Sequence, residues 1–376
     1  MKIACSATSQ VPSSTANSIQ LMKACQALAQ NGHQVCLWVP GSQSTAWEQL
    51  AGHYGLNTAF EVRWLPSRPR LKRYDFTLHA LREARAWGAD VIYTWMLQMA
   101  VLGLWRGLPV VLELHDRPTG LLGPRLFRAY LRSPGTKRLL TITHALQHAL
   151  EKDYQTQFAL HQVVIGPNGA DLERYLNLPD APAARRQLGL PEMLTAVYSG
   201  HFYAGRGMDL LLNLAQCLPQ VMFLWVGGRP EVVEEWRLRL AQAGVNNVRL
   251  TGFVENRILP LYQSAGDVLL MPYETSIAGS SGGNSVEICS PMKMFEYMAA
   301  GRAILTSDLP VLHEVLNENS AVFCPPQDVA AWQAALAALL ADGERRQRLG
   351  MQARADVQAY TWRERAARVM DGLLTG

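Results

Sequence analysis

The segment Ser290–Asp308 reads SPMKMFEYMAAGRAILTSD and joins a helix pattern directly to a buried strand pattern. Ser290 is a suitable helix cap, Pro291 suits the first helical position, and Gly301 is a typical helix end. The run AILTSD that follows is short and apolar, as in a strand covered on both faces. The segment therefore predicts a helix that leads into a strand of a parallel sheet.

The same alternation of short apolar runs and helix-length segments extends along the whole chain. The runs are KIACSA (2–7), QVCLWV (34–39), VIYTWM (91–96), VVLELH (110–115), RLLTIT (138–143), QVVI (162–165), TAVYSG (195–200), VMFLWVGG (221–228), VRLTGFV (248–254), DVLLMPY (267–273), AILTSD (303–308) and AVFCPP (321–326). GPNGAD (166–171) and a Pro-rich stretch interrupt this series. We predict an α/β protein with two Rossmann-like doubly wound domains, residues 1–166 and 167–360, that face a central cleft, and a closing amphipathic helix within 361–376.

Composition is that of an ordinary globular protein, since 49% of the 376 residues are hydrophobic and 18% are charged. The N-terminus turns polar early and no long apolar run occurs, so we expect neither a secretory signal nor a spanning helix. The six cysteines form no CxxC pair, which favours free thiols and a cytoplasmic location. The net charge is +4, and basic residues concentrate before residue 166, which favours an anionic partner there.

The helix that starts near Ser290 carries the first candidate site. Its N-terminus favours a phosphate, and Lys293 in the first turn adds a full positive charge. Glu296 shares a face with Lys293 and is placed to accept hydrogen bonds from ribose hydroxyls. The alternative is that Lys293 and Glu296 form an ion pair on a solvated helix face.

Two loops after strands of the second domain extend this candidate site. In SGHFYAGRGMDLLL (199–212), Arg206 lies between Gly205 and Gly207, which permit close backbone approach to a phosphate. The alternative is an ordinary loop with a surface arginine. For His201, in the same loop, we expect a structural role. In ETSIAGSSGGNSVE (274–287), backbone amides could meet a pyrophosphate, and a surface loop without function is the alternative.

Two basic clusters lie in the first domain, and we expect the acceptor to bind there. Their members are Arg63, Arg68, Arg70, Lys72, Arg73, Arg82 and Arg85, then Arg125, Arg128, Arg132, Lys137 and Arg138. The second cluster resembles a basic amphipathic helix that contacts an anionic bilayer from the inner face of the membrane. The alternative is a solvated basic face. Nucleic acid is disfavoured because no recognised binding motif accompanies the charge.

Several motifs in order and spacing resemble the retaining GT-B glycosyltransferases of family four, also called glycosyl transferases group 1. They are PNGAD (167–171), SG…RG…DLLL (199–212), TGFV (251–254), SPMKMFEYMAAG (290–301) with AILTSDLPVLHEVL (303–316), and TWRERA (361–366). The resemblance covers nearly the whole chain. It implies the GT-B architecture, with the closing helix crossing back to the first domain.

The resemblance also implies an activity: transfer of a hexose from a nucleotide-diphosphate sugar to an acceptor hydroxyl with retention of configuration. UDP- or GDP-sugar is the expected co-substrate without a further cofactor. The acceptor is a glycan, a lipid or a small molecule in glycan, glycolipid or polysaccharide synthesis. The catalytic residues would be His115, Arg206 and Lys293. The donor-binding residues would be Gly252, Phe253, Val254, Gly282, Gly283, Asn284, Ser290, Met292 and Glu296.

Three positions depart from the family pattern. A first glutamate eight residues before Glu296 is replaced by Ile288, for which Glu287 or the Gly282–Asn284 amides could substitute. His201 replaces an arginine. The first loop, SQVPSSTAN (9–17), lacks paired glycines, so Ser13, Ser14 and Thr15 are its candidate donor contacts.

The sequence contains no Asp-x-Asp motif, so we predict no catalytic metal, with the leaving phosphate taking the acceptor proton. Two alternatives stay open: a nucleotide-sugar epimerase, and a degenerate subunit that binds nucleotide sugar without catalysis. A nicotinamide oxidoreductase is disfavoured because neither domain has a complete G-x-G-x-x-G turn.

Overall fold

A computed structural model of the chain describes residues 1–71, 73–159, 161–277 and 285–374. The chain divides into two compact units. Unit 1 comprises Met1–Asn168 together with the segment that begins at Trp362, and unit 2 comprises Gly169–Thr361.

Each unit is built on a parallel sheet. In unit 1 the strands are β1 (Lys2–Ser6), β2 (Gln34–Pro40), β3 (Glu61–Leu65), β4 (Val91–Thr94), β5 (Val110–Leu114), β6 (Lys137–Thr141) and β7 (Val163–Ile165). In unit 2 they are β8 (Thr195–Ser199), β9 (Met222–Val226), β10 (Val248–Leu250), β11 (Val268–Met271), β12 (Ala303–Ser307) and β13 (Val322–Cys324). The strand orders across the described residues are β3-β2-β1-β4-β5-β6-β7 and β10-β9-β8-β11-β12-β13.

An α-helix lies between each two successive strands except the last two, β12 and β13, which a 3₁₀ turn (Pro310–Glu314) connects, and further helices follow β13. The α-helices are α1 (Ala16–Gln30), α2 (Trp47–Tyr54), α3 (Tyr74–Ala86), α4 (Leu97–Trp105), α5 (Gly123–Arg132), α6 (His144–Tyr154), α7 (Ala181–Gln187), α8 (Met208–Cys217), α9 (Pro230–Gln242), α10 (Leu259–Ser264), α11 (Met292–Ala300), α12 (Val329–Ala341), α13 (Gly343–Asp356) and α14 (Trp362–Met370). In the described part of the chain, none of them is long and apolar enough to cross a lipid bilayer.

Burial of the central strands explains their apolar sequences. Every residue of β9 and β12 is buried, because helices cover both faces of the sheet. In unit 2, the ring of Trp225 on β9 packs edge-on against Phe202 and Trp236. The predicted α/β fold with two doubly wound parallel sheets is confirmed.

Strand β3 was not predicted from the sequence, where its Arg63 counts toward a basic segment. It is the edge strand, pairs only with β2 within the described sheet, and is half-buried along most of its length. Arg63 on this strand forms salt bridges with Glu61 (2.7 Å) and Glu83 (3.7 Å). An edge strand with a solvated face tolerates such charges, so it lacks the continuous apolar run of its neighbours.

The closing helix α14 belongs to unit 1 and packs against α1. Its last turn is capped from β6, where Arg138 Nη1 donates to the carbonyl oxygens of Val369 (2.8 Å) and Asp371 (2.5 Å). A cation at these carbonyls also complements the helix dipole.

Candidate functional site

Three strands of unit 2 end side by side in glycines. Gly200 follows β8, Gly227 follows β9 and Gly252 lies just beyond β10. The Gly200 amide donates to Val226 O (2.8 Å) and the Gly227 amide to Gly252 O (2.9 Å). A Cβ at Gly227 would overlap the carbonyl oxygen of Gly200, so only glycine permits this approach. At these three positions the backbone at the carboxyl edge of the sheet therefore carries no side chain. Ligands of doubly wound sheets bind at this edge.

The loop that carries Arg206 is pressed against the end of β11. Gly207 is the N-cap of α8 with φ 71°, and a Cβ there would overlap the carbonyl oxygen of Pro272. The Glu274 amide donates to Gly205 O, and the Gly207 amide donates to Glu274 Oε1, both at 3.2 Å. The two glycines thus place Arg206 at the carboxyl edge, directly before α8.

Helix α11 begins one residue later than the sequence predicted. Pro291 has an extended backbone (ψ 126°), so it is the N-cap rather than the first helical residue. Ser290 consequently lies outside the cap, where the residue before a proline is biased to extended conformations. Ser290 is buried and Met292 half-buried at this end of the helix. Gly301 ends the helix with φ 64°, which confirms that part of the prediction.

Lys293 and Arg206 come together beneath the strand-end glycine. Lys293 Nζ lies 4.0 Å from the ring centroid of Tyr198 and 5.4 Å from that of Tyr273, and the Arg206 guanidinium lies 5.0 Å from the latter. A Cβ at Gly200 would stand 2.8 Å from Lys293 Nζ, so the glycine leaves room for the ammonium.

The two cations are not neutralised by the protein. Among the residues that the structure describes, neither Arg206 nor Lys293 forms a salt bridge with a carboxylate. Burial and the nearby Arg206 guanidinium lower the pKa of Lys293 well below its usual value, against the opposing effect of Glu296. Two like charges at a helix N-terminus are arranged to attract an anion.

Glu296 does not pair with Lys293 as the solvated-face alternative required. Within the described residues no salt bridge joins them, and Glu296 Oε2 instead accepts a hydrogen bond from Gln263 Nε2 (3.4 Å). The same amide also approaches Ser199 Oγ (3.2 Å), and Gln263 Oε1 accepts from the Tyr175 hydroxyl (2.9 Å). Glu296 is thus held near the end of β8 with capacity to accept further hydrogen bonds.

The remaining donor candidates lie along or beside this edge. Gly252 has φ 71°, and Phe253 beside it is 48% exposed. Val254 is half-buried. The imidazole of His201 stacks on Tyr203, with ring centroids 4.8 Å apart. Gly282, Gly283 and Asn284 lie outside the described residues.

The position of the missing first glutamate belongs to the core. Ile288 is 1% exposed, whereas Glu287 beside it points to solvent. An unpaired carboxylate at a site this buried would be unfavourable.

In unit 1, His115 follows β5 and its Nε2 lies 2.5 Å from Glu113 Oε1. Arg365 from α14 reaches the same carboxylate, with Nη2 2.6 Å from Oε1. Neither partner was predicted from the sequence. Glu113 interrupts the apolar run VVLELH, and Arg365 lies on the buried face of an amphipathic helix, so these two anomalies were the available signals.

In the first loop, some of the groups that could bind a ligand are already hydrogen-bonded within unit 1. The Ser13 amide donates to the Tyr54 hydroxyl (2.7 Å), and Ser13 Oγ lies 3.2 Å from both the hydroxyl and the amide of Thr15. Ser14 is half-buried and Thr15 is exposed at the N-cap of α1. Thr15 therefore offers the more accessible hydroxyl to a ligand.

The second basic cluster is smaller than the sequence predicted. Lys137 Nζ donates to the carbonyl oxygens of Tyr130 (3.1 Å), Leu131 (2.8 Å) and Ser133 (2.5 Å), which caps α5. Arg138 caps α14, as described above. Both cations serve helix ends, as basic residues near helix C-termini commonly do. Arg125, Arg128 and Arg132 stay exposed, and Leu121 before the helix is 74% exposed.

A cavity of about 750 Å³ opens at the carboxyl ends of β1, β2 and β3 in unit 1. Its lining is mainly polar or small, with Trp64 and Arg73 as the large side chains. Arg73 Nη1 donates to Thr8 O (3.1 Å), and Trp64 Nε1 donates to Val11 O (2.8 Å). Across the described residues, no three His, Cys, Asp or Glu side chains come together as metal ligands would.

Comparisons with known proteins agree with this arrangement. The family model "Glycosyltransferase Family 4" matches residues 19–174, and "Glycosyl transferases group 1" matches residues 194–342. The chain is 30% identical over 226 residues to D-inositol 3-phosphate glycosyltransferase of Xylanimonas cellulosilytica, which is 56% of this chain. That match spans about half (51%) of the relative's own length.

Two further comparisons cover most of the chain. Phosphatidyl-myo-inositol mannosyltransferase of Mycolicibacterium smegmatis is 26% identical over 367 residues, which are 93% of this chain and 87% of the relative. The crystal structure of Anabaena HepE in complex with UDP and glucose superposes with a TM-score of 0.75 at 16% identity, covering 98% of this chain and 99% of that one. The chain therefore belongs to the glycosyltransferases that these two family models describe, and it has the GT-B fold.

Proposed function

We propose that the chain transfers a sugar from a nucleotide-diphosphate sugar to an acceptor hydroxyl. The observation that carries this proposal is the pair of cations, Arg206 and Lys293, without a carboxylate partner among the described residues. The N-terminus of α11 lies beside them. A diphosphate supplies the negative charge that this edge of the sheet lacks, and Glu296 lies one helical turn away to meet the ribose.

The proposed reaction uses the donor phosphate as its own base. The bond from the sugar's anomeric carbon to the β-phosphate oxygen breaks while the acceptor oxygen bonds to the same face. The acceptor proton passes to the departing phosphate, and Arg206 and Lys293 stabilise the charge that develops there. Configuration is then retained. A ¹H NMR spectrum of the first product tests this, because an inverted anomer contradicts the scheme.

His115 completes the proposed machinery as a contact to the transferred sugar. The protein's own cations meet the phosphate charge in this scheme, so transfer is expected to persist in EDTA. Activity that is lost in the chelator and restored by Mn²⁺ would contradict the metal-independent scheme.

The proposed acceptor is a polyol phosphate of the inositol class, either free or as the head group of a lipid. The names of the two relatives carry this suggestion, and two features of unit 1 support it. The cavity beside β1–β3 offers hydroxyl and amide groups together with Arg73. Leu121, Arg125 and Arg128 are exposed together near the start of α5, which suits an anionic lipid surface. Transfer assays with free inositol 3-phosphate and with phosphatidylinositol vesicles separate the two sources.

Thermal unfolding with UDP, GDP, ADP, CMP and dTDP tests the donor site. One nucleotide is expected to raise Tm by several degrees, and Arg206→Ala is expected to abolish most of that shift. Arg345→Ala is the matched control, because Arg345 is exposed on α13 in the same unit. If no nucleotide shifts Tm at millimolar concentration, or if the two variants behave alike, the proposal is wrong.

The buried Ile288 favours a second candidate, a protein that binds nucleotide sugar without transferring it. This candidate predicts the same thermal shifts but no product with any acceptor. Product formation from the stabilising nucleotide's sugar conjugate excludes it, and release of an epimerised sugar without acceptor would instead identify an epimerase.

A further inference from the structure

Glu113 is a charged residue in a strand that is otherwise apolar and buried. Its Oε1 lies 2.6 Å from Gln20 Nε2, 2.5 Å from His115 Nε2 and 2.6 Å from Arg365 Nη2. Its Oε2 accepts from the Tyr93 hydroxyl and lies 3.2 Å from Arg365 Nη1. A carboxylate with this many partners fixes the orientation of each of them.

The charge on Glu113 determines which nitrogen of His115 carries the proton. Burial opposes the ionised carboxylate, but Arg365 and the His115 hydrogen bond outweigh it and hold the pKa of Glu113 well below its usual range. An ionised carboxylate only accepts hydrogen bonds, so Nε2 of His115 must donate. In the neutral ring, Nδ1 is then the nitrogen that can accept.

Arg365 connects this arrangement to the closing helix. Its Nε lies 3.0 Å from the carbonyl oxygens of both Gly166 and Pro167, while Nη1 and Nη2 contact the carboxylate of Glu113. Arg365 is 2% exposed, so α14 buries this guanidinium in unit 1. The orientation of His115 therefore depends on a residue 250 positions further along the chain.

We propose that Glu113 and Arg365 are positioning residues for His115. They hold the imidazole with Nε2–H on the carboxylate, which leaves Nδ1 to accept a hydrogen bond from the transferred sugar. This inference rests on the proposed transfer function, and it adds that α14 keeps the imidazole in one tautomer.

Steady-state kinetics of Arg365→Met test the proposal against a matched control. kcat is expected to fall about 10²-fold, as a displacement of about 1 Å within a catalytic site can cause, with donor KM and the nucleotide-induced Tm shift unchanged. Arg138→Met removes the other guanidinium that ties α14 to unit 1 but does not contact Glu113. It is expected to keep kcat within about threefold of the wild type. Equal losses in both variants would show that docking of the helix suffices, and would overturn the proposal.

A second variant avoids an unpaired buried charge. In Glu113→Gln/Arg365→Met both ionised groups are gone, so the fold is expected to persist while kcat still falls. Long-range ¹H–¹⁵N spectra of ¹⁵N-histidine protein at alkaline pH report the tautomer, with the His115 signals assigned from His115→Gln. The wild type is expected to show one tautomer with protonated Nε2, and the double variant a mixture.

The spectra separate this inference from the transfer function. They need no turnover, so a mixture of tautomers in the wild type overturns the positioning role by itself. A wild type that shows one tautomer but forms no product in the transfer assay would refute the transfer function and leave the geometry of His115 standing.

Discussion

The substitution Lys293→Met distinguishes the contribution of Lys293 to nucleotide binding from its contribution to the stability of the fold. Methionine keeps an unbranched apolar stem against Tyr198 and removes only the ammonium. In the unliganded protein that ammonium is opposed by burial and by Arg206, which together lower its pKa. We therefore expect the unliganded variant to be at least as stable as the wild type and to bind nucleotide poorly.

The magnitude follows from a single charged contact. A hydrogen bond from Lys293 to a phosphate oxygen contributes about 2 kcal/mol, so its loss weakens binding about 30-fold. Nucleotide at about 100 times Kd stabilises the wild type by about 2.7 kcal/mol. At the same concentration the variant has only about three times its own Kd and gains about 0.9 kcal/mol. The Tm shift then falls from about 5–11 °C to about 2–4 °C.

Differential scanning fluorimetry across a nucleotide titration measures both effects. Lys152→Met is the control, since Lys152 is exposed on α6 in the other unit. The reasoning is refuted if Lys293→Met keeps the full nucleotide shift. It is equally refuted if the unliganded variant melts several degrees lower, because Lys293 would then support the fold.

Three further outcomes are expected. Nucleotide binding should be accompanied by proton uptake, because the phosphates raise the lowered pKa of Lys293. The uptake should be largest at a pH between the pKa values of Lys293 in the free and in the nucleotide-bound protein. Calorimetry in buffers of different ionisation enthalpy measures this uptake, and Lys293→Met should abolish it. Gly207→Ala should lower Tm well beyond Gly244→Ala, since both have positive φ but only Gly207 is crowded; equal melting would contradict that steric account. Arg125→Glu/Arg128→Glu should weaken co-sedimentation with phosphatidylinositol vesicles about 30-fold, and unchanged binding would argue against a role of α5 at the bilayer.

Most strands and their parallel pairing could be predicted, because burial on both faces requires continuous apolar runs. The runs QVCLWV and VMFLWVGG both proved to be central strands. Strand β3 could not be found in this way, since EVRWL at the sheet edge faces solvent and alternates charge with apolar side chains. The start of α11 was displaced by one residue because composition does not reveal the backbone angle of Pro291.

The candidate donor residues could be proposed from the sequence because they adjoin strand ends and glycines, and these are local signals. The environment of His115 was not local. It depends on Arg365 from α14, and no residue near VVLELH in the sequence indicates that this arginine is the partner. Lys137 and Arg138 show the same limit, since their charge suggested a surface and their contacts are helix ends. The residue types indicated which side chains could bind a ligand. Their tertiary contacts determined which of those side chains are available to bind one.

The two ionic arrangements differ in a way that bears on function. The pair of Glu113 and Arg365 is almost completely buried, and its partners compensate both charges within unit 1. Arg206 and Lys293 in unit 2 repel one another, and no carboxylate in the described chain pairs with either. A compensated pair can fix a geometry for the folded protein alone, because breaking it leaves an unpaired buried charge. Arg206 and Lys293 contact the rings of Tyr198 and Tyr273 but have no ionic partner in the described chain, which is why we propose an anionic ligand for this glycine-lined sheet edge.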